Sequence, residues 1–106
     1  MSLVRGAIHR YNPRNTSGHE QRGTRYAVIL QVPLPLSTVL IAPTSTQARP
    51  GVFRVETEFA GQASVVLLDQ IRATDAGLLG DQVGSLTHDE LAACEDAIRY
   101  LFALDT

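Results

Sequence analysis

Three short polar segments carry most of the side chains in this sequence that could do chemistry. They are GHEQRGTR at positions 18–25, TST at 44–46 and DQIR at 69–72. Each follows or precedes a hydrophobic run of strand length, and side chains at strand ends can converge at one mouth of a small barrel. Together the segments offer these candidate site residues: His19, Glu20, Arg25, Thr44, Ser45, Asp69, Gln70 and Arg72.

Side chains of these types can bind phosphate and can also donate or accept protons. Cleavage of RNA without a metal needs a base for the 2′-hydroxyl, an acid for the leaving oxygen and a cation that stabilises charge on phosphorus. Glu20 or His19 could act as the base, and Arg25 could supply the cation. The sequence contains no Cys/His cluster for a metal, no GxGxxG or Walker loop for a nucleotide and no Ser in a strand–turn–helix elbow. We therefore expect a site without metal or cofactor.

The charge of the chain is strongly polarised. All nine basic residues are Arg, and there is no Lys. Up to Arg54 seven Arg stand against one acid (+6), and beyond it two Arg stand against ten acids (−8), although the total is only −2. The first part could present a positive face to an anion, and the planar guanidinium suits phosphate because it donates two parallel hydrogen bonds. The alternative, that Arg merely replaces Lys for compositional reasons, stays open at this stage.

Short hydrophobic runs predict a β-rich architecture. Strands are expected at 5–11, 26–32, 38–42, 52–58, 63–68 and 81–86, with a short helical turn at 74–79. Thr87 and Glu90 form a capping box that predicts a terminal helix, with an apolar stripe over Leu91, Cys94, Ile98, Leu101 and Phe102. Six or so strands and one helix indicate a small barrel-like fold that is mainly β.

Length and composition restrict the class of protein. A chain of 106 residues is expected to form a single domain, spanning 1–106. Its single cysteine, Cys94, cannot form an internal disulfide and is expected in the core. No apolar run approaches the roughly 20 residues needed to span a bilayer, and the first residues lack the hydrophobic stretch of a signal peptide. We therefore expect a soluble, cytoplasmic domain.

Several segments together resemble the MazF/PemK/Kid family of toxin endoribonucleases. The segments RGAIHRYNP, SGHEQRGTR, TSTQ, VFRV and VVLLDQIRATD and the capped terminal helix occur in the family's order with nearly its spacing. The resemblance implies an SH3-like β-barrel of the CcdB/Kid/MazF type, a homodimer, and metal-independent cleavage of single-stranded RNA at short sequences. It also implies inhibition by a cognate antitoxin whose acidic C-terminal tail lies along the toxin surface.

The resemblance also assigns roles to individual residues. It makes Arg25 the essential Arg, Thr44 the catalytic-loop Thr and Glu20 the acidic loop residue. His19 matches the His of the Kid branch, and Asp69 matches the acid that this branch pairs with its catalytic Arg and His. We expect Glu20 to act as the base, with His19 as its rival. From their place at the strand ends, a second group is expected to contact RNA: Ser45, Asp69, Gln70 and Arg72.

The chain departs from the family pattern at two positions. Leu67 stands where the Kid branch has an Arg, and Tyr26 replaces the Pro that usually follows the essential Arg. The connection between 31 and 38 is also shorter than usual. Two other functions therefore stay open: a gyrase-poison-like toxin of the same fold, although the chain has no Trp, and an inactive barrel that binds RNA or a partner.

Each candidate also has a structural interpretation. Arg25 could pair with Asp69 or Glu20, and Asp69 with Arg72, in ion pairs that only hold the barrel together. Hydroxyl groups such as that of Ser45 often close turns. Gln70 could satisfy buried backbone groups, and Glu20 could accept hydrogen bonds from the amides of its loop. Thr44 could close a turn as Ser45 could, and His19 could simply be solvated.

Overall fold

The computed structural model describes residues 3–13, 25–32 and 37–104. The predicted candidates His19 and Glu20 lie outside the described residues. The elements follow the chain as β1 (Ala7–Tyr11), β2 (Arg25–Gln31), β3 (Thr38–Ser45), β4 (Arg54–Phe59), β5 (Gln62–Leu67), β6 (Arg72–Asp75), β7 (Leu79–Ser85) and α1 (His88–Leu101), with 3₁₀ turns at Leu68–Gln70 and Ala76–Leu78. None of the described helices is long and apolar enough to cross a bilayer.

The strands form one curled antiparallel sheet around β3. Its order is β4-β5-β3-β2-β1-β7, and β6 pairs with β3 outside that path. Strand β3 is the junction, because its first half pairs with β6 and its last residues pair with β5. Strands β2, β5 and β6, which are distant in sequence, therefore all border β3.

Two groups of buried side chains cover the two faces of the central strands. The first lies between the sheet and the helix and includes Ile8, Val28, Leu68 and Cys94. The second group lies across β1, β2 and β3 and includes Ile29. Alternate residues of these strands contribute to one group or the other, as the two-residue period of a strand requires. Each fully buried aliphatic side chain contributes roughly 1.5–3 kcal/mol to stability.

The terminal helix begins as predicted and is anchored to the sheet. The Thr87 Oγ1 accepts a hydrogen bond from the Glu90 amide at 3.1 Å, and a Glu90 carboxylate oxygen accepts one from the Thr87 amide at 2.9 Å. The same oxygen accepts a bond from the buried Thr57 hydroxyl of β4 at 3.0 Å. The predicted stripe is wrong at its end: Phe102 is 58% exposed, because α1 stops at Leu101 and the chain turns away from the core.

One strand was not anticipated. Residues 74–79 were expected to form a helical turn, but the helical part contains only Ala76–Leu78, and Arg72–Asp75 forms β6. The pairing of Val39 with Thr74 and the burial of the Thr74 side chain explain the difference. A short polar segment becomes a strand here because β3 offers unpaired backbone groups.

Candidate functional site

Four of the predicted site residues share one cavity of about 590 Å³. They come from different elements: Arg25 begins β2, Thr44 and Ser45 end β3, and Arg72 begins β6. The other lining residues are Tyr11, Tyr26, Pro43, Thr46, Gln47, Gln62 and Ser64. Residues from each of the three polar segments thus lie together at one mouth of the barrel.

Strand register explains why these residues meet. In the β2–β3 pair Ala27 lies opposite Pro43. Because opposite residues in an antiparallel pair are close neighbours, the start of β2, with Arg25, lies near the end of β3, with Thr44 and Ser45. The end of β3 is held from its other side by β5, since Thr44 pairs with Val66. The cavity therefore stands on rigid, hydrogen-bonded backbone.

The cavity is suited to an anion. It is lined by two exposed arginines, Arg25 and Arg72, and by the half-buried hydroxyl-bearing residues Thr44 and Ser45. Among the residues that the structure describes, no carboxylate lines it. Because Arg and hydroxyl groups can donate hydrogen bonds to phosphate oxygens, this lining fits a phosphodiester.

Ser45 also has the structural role that was left open. Its Oγ accepts hydrogen bonds from the amides of Gln47 and Ala48, each at 3.0 Å. These bonds close the turn that follows β3. The hydroxyl proton of Ser45 can still be donated, so the turn does not exclude a contact with substrate.

Asp69 and Gln70 lie elsewhere. Both are exposed on the 3₁₀ turn Leu68–Gln70 and do not line this cavity. Asp69 pairs with Arg54 and not with Arg25 or Arg72: the Arg54 Nε lies 3.2 Å from Oδ1 and its Nη2 lies 3.0 Å from Oδ2. The hydrogen bonds from Arg54 hold the pKa of Asp69 below its usual value and raise the pKa of Arg54.

The pairing of Asp69 with Arg54 was not predicted from the sequence. Which residue lies opposite another in a sheet depends on the register of the two strands, and the sequence alone does not give that register. In the β4–β5 pair Arg54 lies opposite Leu67, two residues before Asp69. The guanidinium therefore reaches this carboxylate from the neighbouring strand.

Tyr26 is a further residue of the site. Its ring packs edge-on against Phe59, with centroids 5.1 Å apart, and the Arg10 guanidinium carbon lies 5.9 Å from its centroid. The departure from the usual Pro thus places a tyrosine in the lining of the cavity that also contains Thr44. It removes no hydroxyl or guanidinium group from the cavity.

Comparisons with known proteins agree on the family. A sequence model of the PemK-like, MazF-like toxins of type II toxin–antitoxin systems matches residues 4–102. A Mycobacterium tuberculosis (strain ATCC 25618 / H37Rv) chain named as a toxin, Rv3098A, is 44% identical over 103 residues, covering 93% of this chain and 97% of that one.

Solved structures show the same fold. The Mycobacterium tuberculosis toxin MazF-mt6 superposes with a TM-score of 0.76 at 26% identity, covering 94% of this chain and 99% of that chain. A mycobacterial endoribonuclease in complex with its cognate antitoxin gives a TM-score of 0.79 at 18% identity, covering 99% of each chain. These matches confirm the predicted fold class, mainly β with a C-terminal helix and of the MazF type; the sheet itself is curled into a half-barrel. The chain is a member of the PemK/MazF-like family of type II toxins.

Proposed function

We propose that this toxin is a metal-independent endoribonuclease that cleaves single-stranded RNA at short sequences. The observation that supports the proposal is the shared cavity of Arg25 and Thr44, which come from separate strands and line a space free of described carboxylates. Its lining suits a phosphodiester, and the solved endoribonuclease described above has the same fold. The family resemblance assigns these same two residues to the reaction.

The proposed reaction is a transfer of phosphorus between two oxygens of the RNA. The 2′-hydroxyl oxygen attacks phosphorus, the bond from phosphorus to the 5′-oxygen breaks, and a 2′,3′-cyclic phosphate and a 5′-hydroxyl are left. Arg25 stabilises the charge that develops on the phosphoryl oxygens, and Thr44 holds the scissile phosphate. Glu20, with His19 as its rival, takes the proton of the 2′-hydroxyl. The leaving 5′-oxygen must receive a proton in turn.

The other RNA contacts are divided by position. Arg72 and Ser45 line the same cavity as Arg25, so we assign them to the phosphate nearest the cleaved bond. Asp69 and Gln70 are exposed outside the cavity, so we assign them to neighbouring nucleotides. Bases of a single strand are splayed out when proteins bind them, and this leaves their edges free to be recognised.

We further propose that the toxin acts in the cytoplasm as a homodimer and is held inactive by a cognate antitoxin with an acidic C-terminal tail. The solved mycobacterial relative is itself bound to its cognate antitoxin. The excess of Arg in the first half of the chain would attract an acidic tail and RNA alike. Competition between the two for one basic surface would explain inhibition.

The test compares Arg25→Ala with Arg49→Ala on a mixed RNA pool in the presence of a chelator. Arg49 is the matched control, because it is also exposed but does not line the cavity of Arg25 and Thr44. Loss of one charge-stabilising donor typically lowers the rate about 10²–10³-fold, so Arg25→Ala should lose that much activity and Arg49→Ala almost none. Both variants should keep the wild-type melting temperature.

The products and the failures of this assay are both informative. Fragments ending in 2′,3′-cyclic phosphate are expected from the wild-type protein. Unchanged cleavage by Arg25→Ala would refute the assigned role of Arg25. RNA binding without any cleavage would instead support an inactive barrel, and arrest of a topoisomerase in a parallel assay would support a gyrase poison.

A further inference from the structure

Tyr26 is the aromatic residue that a ligand in the cavity of Arg25 and Thr44 can contact. The chain has three Tyr, three Phe and no Trp, and the structure describes all six aromatic residues. Of these only Tyr11 and Tyr26 line the cavity. Tyr11 is 6% exposed and its hydroxyl donates to Thr74 at 3.3 Å, whereas Tyr26 is half-buried and keeps part of its surface open.

The Tyr26 side chain projects to the same face of the sheet as that of Thr44. Tyr26 lies two residues before Val28 in β2, and Thr44 lies two residues after Ala42 in β3. Val28 and Ala42 both belong to the buried group between the sheet and the helix. Because side chains two residues apart in a strand share a face, a phosphate held by Thr44 would have the Tyr26 ring on its own side of the sheet.

Two neighbours hold the Tyr26 ring in place. Phe59, which is buried, packs against it with ring centroids 5.1 Å apart. Arg10 lies opposite Tyr26 in the β1–β2 register, and its guanidinium carbon is 5.9 Å from the ring centroid. A side chain that is already fixed by its neighbours loses little conformational entropy when a ligand packs on it. The ring is therefore preorganised for a flat partner.

We propose that Tyr26 stacks on a base of the bound RNA strand, at the nucleotide whose phosphate lies beside Thr44. This proposal rests on the endoribonuclease function proposed above, because that function places the phosphate. Unpaired bases of RNA stack on aromatic side chains, and every base has a π-face, so such stacking adds affinity with little choice among bases. The usual family pattern has Pro at this position, so the contact would distinguish this chain from relatives that keep the Pro.

The probes separate contacts to bases from contacts to phosphates. One is a fluorescent 2′-O-methyl oligoadenylate of eight nucleotides, whose blocked 2′-oxygens prevent cleavage. The other is an abasic octamer with the same number of phosphates. Because base–aromatic stacking contributes at least about fivefold in affinity per base, fluorescence anisotropy should show wild-type protein binding the oligoadenylate about fivefold tighter or more.

The variants assign that difference to one ring. Tyr26→Leu should weaken oligoadenylate binding about fivefold or more and leave binding of the abasic octamer unchanged, whereas Tyr26→Phe should keep both affinities. Tyr100→Leu is the matched control and should change neither, because Tyr100 is exposed, packs on the ring of Phe53 and does not line the cavity. Arg25→Ala should weaken both probes alike, since a guanidinium binds phosphate.

A tryptophan at the same position gives a second measurement, which does not depend on the folding of Tyr26→Leu. The chain has no Trp, so Tyr26→Trp introduces a single indole whose fluorescence is quenched when a base stacks on it. Oligoadenylate should quench this fluorescence and the abasic octamer should not. In Tyr100→Trp neither probe should quench it.

The outcomes separate this proposal from the one on which it rests. A folded Tyr26→Leu protein that binds oligoadenylate as the wild type does, or that loses both probes equally, would overturn the stacking even if the wild type cleaves unmodified RNA. An unquenched indole in Tyr26→Trp bound to oligoadenylate would overturn it as well. Stacking at Tyr26 in a protein that cleaves no RNA would support this proposal and refute the enzyme, whereas no binding of either probe by the wild type would refute both.

Discussion

Thr57→Val tests the link between the sheet and the terminal helix. Thr57 is only 5% exposed, and its hydroxyl donates a hydrogen bond to a Glu90 carboxylate oxygen at 3.0 Å. A hydrogen bond to a charged group contributes about 1.5–3 kcal/mol, and the lower end applies because Glu90 is half-buried. The added methyl group returns about 0.8 kcal/mol. The net loss is about 0.7 kcal/mol, which lowers the melting temperature by roughly 3–6 °C in a domain of this size.

The assay is a thermal or urea denaturation of four proteins: wild type, Thr57→Val, Glu90→Ala and the double variant. Glu90→Ala alone should be destabilised more than Thr57→Val, because it also loses the bond to the Thr87 amide. In that background the Thr57 hydroxyl is left without its carboxylate, so Thr57→Val should cost nothing or stabilise the protein. An equal loss with and without Glu90 would refute the assignment of this energy to the hydrogen bond.

Two further predictions concern titratable groups. Because Arg54 lowers the pKa of Asp69, NMR titration should place that pKa below the usual 3.8, and Arg54→Gln should return it to the usual value. The small stabilisation from the pair is present above the pKa of Asp69 in the unfolded chain and is lost as the pH falls through its pKa in the folded protein. An unchanged pKa of Asp69 in Arg54→Gln would contradict the pairing. Burial, together with the negative charges of Glu90 and Glu95, raises the pKa of the Cys94 thiol to about 11. A thiol reagent at pH 8 should therefore label the native protein far more slowly than the denatured protein. Equal labelling rates would show that Cys94 is accessible in the native protein.

Much of the fold was predictable because its signals are local. The hydrophobic runs around Val28 and Val66 are short and rich in β-branched residues, and both became strands. The capping box needs only Thr87 and Glu90 three residues apart, and it forms as expected. Strand β6 was not predictable in this way, because the segment from Arg72 to Asp75 becomes a strand only through its pairing with β3.

The candidate site was predictable only in part. Arg25 and Thr44 were identified from residue type, position at strand ends and family resemblance, and they share a cavity. Asp69 was identified too, but its partner Arg54 was not, since that pair depends on which residues lie opposite in β4 and β5.

The sequence by itself determined the secondary structure of most segments, the polarised charge and the residue types available for phosphate chemistry, because these follow from short-range periodicity and composition. Tertiary structure alone decided which of those residues face one another. Antiparallel register brought Arg25, Thr44 and Arg72 to one cavity and left Asp69 beside Arg54. Register is set by the simultaneous burial of both faces of β3 and its neighbours, and a shift of one residue would move every side chain to the opposite face.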